Sequence, residues 1–227
     1  MIKIKIDNET FEILPLTVDV WLDCMKWDIM EKVNWAKIIS IATGAPLADM
    51  RLASYEEQQI VVTMIAQEYT RRQECRMKDL TTITFGEWID LEIYLNDGIA
   101  VSLPKIMKKL DINTDLASRA LWGVDKYIEF RDLIYRQYSG LFGLNEPQDE
   151  YDDEEEAPKF DRDNIARSWY NILLDLSDWD LMKTDQITEQ PLKKVLNFMA
   201  AKKQRAIEER NQQLKKKREY ELQRNRR

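Results

Sequence analysis

The sequence predicts a mainly α fold: an N-terminal β-hairpin packed on a helical bundle, with a long charged C-terminal helix. Three observations carry that expectation. Period-two alternation of Ile with charged residues is confined to the first positions of the chain. Helical periodicity with N-capping signals fills most of the remaining sequence. Beyond Ala201 the apolar face of the last helical run thins to Ile207, Leu214 and Leu222 while charge accumulates.

The hairpin comes first. Ile2, Ile4 and Ile6 alternate with Lys3, Lys5 and Asp7, "DNET" supplies a turn, and "FEIL" returns before Pro15. An isolated hairpin is marginal in water, so it is expected to pack on helices. Thr17 is placed to cap a helix whose apolar face holds Val20, Trp21, Cys24 and Trp27. "NWAKIISIATG" is a second helix closed by Gly44, and a short turn comes after Pro46. Ser54 and Glu57 have capping-box spacing ahead of a helix expected to turn Ile60, Met64, Ile65 and Tyr69 inward.

The stretch "TITFGEWIDLEIYL", residues 82–95, repeats the capping-box signal with Thr84 and Glu87. Phe85, Trp88, Ile89 and Leu95 fall on or near one face, and Leu91 and Tyr94 widen it, so a central scaffold helix is predicted. Asp90 and Glu92 are two apart and point about 200° away from each other on a helix, so they do not form a carboxylate pair. They are expected to be solvated or capping carboxylates. "NDG" at 96–98 ends this helix, and Pro104 sits near the first turn of the next. The longest periodic run comes next, with Leu116, Leu121, Val124, Ile128, Leu133, Ile134 and Tyr138 apolar and Gly123 a point of bending or interruption.

Eight acids lie between positions 146 and 156, bracketed by Pro147 and Pro158. Like charge at that density resists packing and predicts a mobile linker; it also lacks the D-x-[DN]-x-[DN]-G turn of a calcium loop. Helix resumes with Trp169, Ile172, Leu173 and Leu176, and again from Pro191 with Leu192, Val195, Leu196, Phe198 and Met199. The expected organisation is therefore a hairpin plus helical domain over 1–145, an acidic linker over 146–162, a helical hairpin packing on the body over 163–201 and a basic projecting helix over 202–227.

Composition narrows the function. With 227 residues there is room for one full core or two small ones. No run of about 18 apolar residues predicts a membrane span, and the N-terminus lacks the apolar block of a signal peptide. Cys24 and Cys75 are expected to be reduced thiols, in a reducing compartment. The chain has no histidine, which removes Ser-His-Asp and Cys-His nucleophiles and His-containing zinc sites. Its six glycines form neither GxGxxG nor GxxxxGK[ST]. No catalytic, cofactor-binding or metal-binding residues are assigned, and no cofactor is expected.

Charge singles out one candidate surface. Residues 202–227 carry eleven Lys or Arg and four Glu, a local balance of +7 in a chain of net −7, leaving −14 for the remainder. Lys202, Lys203, Arg205, Arg210, Lys215, Lys216, Lys217, Arg218, Arg224, Arg226 and Arg227 are the predicted partner-binding residues. An acidic protein surface or another copy of the chain fits them. Nucleic acid is the competing partner, but Tyr220 is the single interleaved aromatic, which does not suggest stacking on single strands. The seven tryptophans, Trp21, Trp27, Trp35, Trp88, Trp122, Trp169 and Trp179, are expected in the core, with one or two on an interface.

The layout resembles small assembly or structural proteins of tailed bacteriophages, the tail-assembly chaperones in particular. The matching residues are Ile83, Thr84, Gly86, Trp88, Ile89, Asp90 and Leu91 of an I-T-x-G-x-[FW]-I-D-L-like segment, and Leu196, Asn197 and Phe198 ahead of a long charged helix. The likeness covers about a third of the chain, excludes the acidic arm and carries no catalytic residues. It implies a non-enzymatic assembly factor that binds another virion protein in the host cytoplasm. The alternatives are a structural or cargo protein retained in the virion (tail, neck or capsid interior) and a nucleic-acid-binding module acting through the basic helix.

Overall fold

The computed structural model describes residues 2–6, 9–13, 15–142 and 164–224; side chains of the strand residues other than Thr10, and of 221–224, fall outside the description. Among the described residues, ten α-helices come after two short strands. They are β1 (Ile2–Ile6), β2 (Glu9–Ile13), α1 (Val18–Met25), α2 (Trp35–Thr43), α3 (Leu47–Leu52), α4 (Tyr55–Thr70), α5 (Phe85–Asn96), α6 (Ile99–Lys109), α7 (Ala117–Gln137), α8 (Ile165–Ser177), α9 (Leu181–Thr188) and α10 (Leu192–Arg224).

A β-hairpin packed on one helical bundle is not the observed fold class. The architecture is all-α among the described residues, and their core is supplied by helices. The β structure there is a single antiparallel ladder pairing Ile2 with Ile13 through Ile6 with Glu9. Among the residues whose burial is described, the buried apolar side chains run from Leu16 onward and belong to helices or their connections. Two five-residue strands offer too little surface to roof a core of this size, so the apolar surface is covered helix on helix. The expected packing of the hairpin's apolar face, and the expected acidic linker at 146–162, lie outside the described residues.

The helices form two compact units rather than one bundle. The first holds residues 1–80 and 94–129, the second 81–93 and 130–227. The division falls within α5 and within α7. Residues 81–93 and 130–142, adjacent in sequence to the N-terminal block, cluster instead with the C-terminal helices.

In the first unit, Thr17 accepts from the Val20 N–H and caps α1 as its position predicts. Val18 donates to the Asp115 carbonyl at 2.7 Å and Ala117 donates to that of Leu16 at 2.9 Å, tying the entry of α1 to the entry of α7. Gly44 ends α2 in the left-handed region at φ 72°, where a side chain would be strained. The Ser54–Glu57 capping box forms in both directions. The α4 face is turned one residue from the expected one: Val61, Val62 and Ile65 are buried, while Ile60 is exposed. Pro104 lies in the interior of α6 rather than its first turn, because the helix starts at Ile99 right after Gly98. Gly123 does not interrupt α7; a Cβ there would meet the Ile112 side chain, so the residue serves close packing. Tyr127 is fully buried in place of the expected Ile128, which is half-buried. Both cysteines are free.

In the second unit, the Thr84–Glu87 box caps α5: Glu87 donates its N–H to Thr84 Oγ1 at 3.2 Å, and the Glu87 carboxylate accepts from the Thr84 N–H at 3.0 Å. The same turn grips the start of α10. Phe85 donates to the Gln190 carbonyl at 2.8 Å and Leu192 to that of Ile83 at 3.0 Å. Gly86 lies against this junction, and a Cβ there would stand 2.9 Å from Thr188 Cβ and 3.2 Å from the Thr188 carbonyl oxygen. Because backbone is in the way, Gly86→Ala is expected to lower stability by about 1–3 kcal/mol. A urea midpoint equal to or above that of the parent chain would contradict this close approach.

The core of this unit is aromatic. Trp88 on α5 meets Phe130 and Trp169 edge to face, with ring centroids 6.4 Å apart in each case, and Tyr135 at 5.9 Å. Phe85 and Phe142 also pack on Trp169, at 5.7 and 6.0 Å. Edge contacts of this kind add about 0.5–1.5 kcal/mol beyond area burial. The central role expected for residues 82–95 is thus met by Phe85, Trp88 and Leu91, all fully buried; Leu95 is half-buried.

Candidate functional site

The basic helix is anchored before it is exposed. Leu192, Val195 and Leu196 are buried in the second unit, and Asn197 accepts a 2.7 Å hydrogen bond from the Tyr138 hydroxyl. Phe198, expected on the apolar face, is exposed. Lys202 donates to the Asp175 carbonyl at 3.4 Å and Lys203 to that of Gly140 at 2.8 Å, where both sit against their own unit. Every described side chain from 204 to 220 is exposed. The helix runs on without a break to Arg224.

Along that exposed part, Arg205 pairs with Glu209 at 2.9 Å and Gln204 donates to Glu208 at 3.0 Å, the i, i+4 spacing of a solvated helix face. Lys215, Lys216, Lys217 and Arg218 form four consecutive exposed cations. Ile207, Leu214 and Tyr220 are exposed among the charges. Arg224 lies at the end of the helix with its side chain outside the description, and Arg226 and Arg227 lie outside the described residues. The structure therefore gathers Arg205 and residues 210–218 on one solvent-facing rod and separates Lys202 and Lys203, which are held at its root.

A second polar constellation escaped the sequence. Glu92 is not a solvated or capping carboxylate; it is fully buried on α5. Arg131 Nε donates to its Oε1 at 2.6 Å, and the Tyr135 hydroxyl donates to its Oε2 at 2.6 Å. The partners come from α7, 39 and 43 residues away, which no local spacing reveals. Burial, then the neighbouring Glu92 charge, pushes Tyr135 far above its ordinary pKa, so the phenol stays a proton donor. With both oxygens occupied and no exposed edge, this carboxylate is suited to holding helices in register and not to abstracting a substrate proton. Asp90 is half-buried on the same helix.

In the first unit, burial raises the Cys24 thiol above its ordinary pKa, and burial acts in the same direction on Cys75. Protonated thiols are poor nucleophiles. Tyr69 lies beside Cys24 and is pushed far upward, first by burial. An open groove of about 640 Å³ in the same unit is lined by Asp19, Leu22, Asp23, Met25, Lys26, Ala100 and Val101. Among the described residues, no three His, Cys, Asp or Glu side chains gather to hold a metal ion, and no helix is long and apolar enough to cross a membrane.

One turn of the second unit stands out. Asp178 and Trp179, between α8 and α9, are consecutive non-glycine residues in the left-handed region, at φ 52° and 62°. That conformation costs roughly 1–2 kcal/mol for each L-residue. It is enforced locally. The N–H groups of Asp178 and Trp179 both reach the Leu174 carbonyl, and Asp180 caps α9 by accepting from the Met182 N–H at 3.0 Å. The outcome is that Trp179 stands 75% exposed, followed by Leu181 and Met182, 76% and 69% exposed. Of the tryptophans expected in the core, Trp21, Trp35, Trp88 and Trp169 are buried and Trp27 and Trp122 half-buried; Trp179 is the one presented to solvent.

No protein-family model, no curated protein and no solved structure matches this chain.

Proposed function

We propose that this chain is a non-enzymatic assembly protein that docks on an acidic partner protein through the exposed part of α10. The observation that carries the reading is the basic rod itself: side chains exposed from 204 to 220, helical to Arg224, and strongly positive against an acidic remainder. A long polar helix whose described side chains from 204 to 220 are exposed contributes little to a core, so its sequence is free to serve recognition. The buried, fully hydrogen-bonded Glu92 and the protonated Cys24 favour a scaffold over a catalyst. The resemblance of residues 83–91 and 196–198 to phage tail-assembly chaperones points to another virion protein as partner. The competing reading is a component retained in the particle.

A chain ending at Arg205 keeps the Lys202 and Lys203 contacts with their unit. Its thermal midpoint is expected to stay within about 2 °C of the full chain, because surface changes of this kind shift stability by roughly 0.5 kcal/mol or less. Its capture of the partner from cells producing the particle is expected to be lost. With the full chain, capture should weaken steeply as salt rises and the screening length shrinks from about 10 Å at 0.1 M to 3 Å at 1 M. A truncated chain that still captures the same partner would remove α10 from the mechanism. Mass spectrometry of purified particles separates the two roles: an assembly chaperone is absent, a retained component present at fixed copy number.

A further inference from the structure

We infer that the Trp179 turn of one copy docks on the basic part of α10 from a second copy. This rests on reading α10 as a docking helix and adds the surface it meets. The charges are complementary. Between positions 175 and 189 the chain carries Asp175, Asp178, Asp180, Asp185 and Glu189 against Lys183 alone, whereas 215–218 is four cations in a row. Lys183 lies 3.7 Å from Asp178 and 3.9 Å from Asp180, too loose and too exposed to neutralise the turn. The apolar groups are complementary too. Trp179, Leu181 and Met182 on the turn and Ile207, Leu214 and Tyr220 on the helix are all exposed. An indole face also attracts Lys and Arg, and tryptophan is enriched among interface anchors. The turn is fixed by its own hydrogen bonds before any partner arrives, which lowers the ordering cost of docking.

Within one chain Lys202 reaches the Asp175 carbonyl at the edge of the turn, but the four-cation run lies thirteen residues further along the helix. Lys203 is still against the unit, and Lys215 lies twelve residues further along an unbroken helix, about 18 Å away at 1.5 Å per residue. The contact is therefore between copies. It joins two different patches, so it adds copies head to tail instead of closing a symmetric pair.

Sedimentation of the full chain at low ionic strength tests this. The average mass is expected to climb above the single-chain 27.0 kDa as concentration rises, and to return to it in about 0.5 M salt. Trp179→Ala, and separately K215E/K216E/K217E/R218E, should each remain single at every concentration with unchanged helical circular dichroism. Mixing these two variants should give pairs and nothing larger, since one retains only the helix and the other only the turn. A full chain that stays single at all concentrations overturns the inference, as does a Trp179→Ala chain that assembles like the parent. If such a chain still loses its virion-protein partner on truncation at Arg205, the docking role of α10 stands while the contact between copies falls. If instead the parent assembles and Trp179→Ala abolishes that without affecting partner capture, both stand.

Discussion

Trp88→Ala is expected to cost about 3–5 kcal/mol, among the largest losses available to a single side chain in this protein. The indole is fully buried and its ring meets Phe130, Tyr135 and Trp169, so its removal strips the cluster of its centre. Two effects add: the apolar area returned to water on unfolding no longer includes the ring, and the cavity left behind is refilled only in part. Trp179→Ala is the control of identical chemistry. Its ring is mostly solvated, so the change should stay within about 0.5 kcal/mol. Urea midpoints of the two variants decide the matter. Equal losses, or a larger loss at 179, would mean that the aromatic cluster around 88 does not organise its unit.

Glu92→Ala is expected to cost a similar amount, about 3–5 kcal/mol, for a different reason. The carboxylate accepts from Arg131 and Tyr135, and its loss leaves the guanidinium, itself only 29% exposed, and a half-buried phenol without their shared partner. Breaking one side of such a set is far more damaging than removing all of it. Replacing the three together, Glu92→Leu with Arg131→Met and Tyr135→Phe, should recover most of the loss. A double-mutant cycle between 92 and 131 should then show strong coupling, on the order of 1–3 kcal/mol. Additive losses would mean that the pair is incidental. The set joins α5 to α7 within one unit, and a polar lock of this kind favours one helix register over slipped alternatives, as a lone polar residue does in coiled coils.

Much of this protein is legible locally. Thr17, Ser54 and Thr84 each cap the helix they precede, because a cap needs only a hydroxyl and a backbone N–H two or three residues on. Gly44 closes α2 for an equally local reason. The exposure of α10 beyond 203 was readable from the thinning of its apolar face after Ala201. Its root at Lys202 and Lys203 was not, since their acceptors are carbonyls of Asp175 and Gly140.

What tertiary structure decided involves separations that no period records. The side chain of Glu92 has the same local surroundings in sequence as a solvated acid; only the arrival of Arg131 and Tyr135 makes it a buried anchor. Periodicity places an apolar stripe on α4 but not to the residue, so packing chose Val61 over Ile60, just as it chose Tyr127 over Ile128 on α7. Trp179 carries the composition of a core residue, yet two consecutive left-handed residues turn it outward. The partition into two helical units, cutting through α5 and α7, arises from which helices meet. The sequence by itself determined the caps of α1, α4 and α5, the close of α2 and which helix stays solvated, because caps and charge act within a turn or two. Which faces meet was decided by contacts tens of residues apart, whose free energy exists only once the chain has folded.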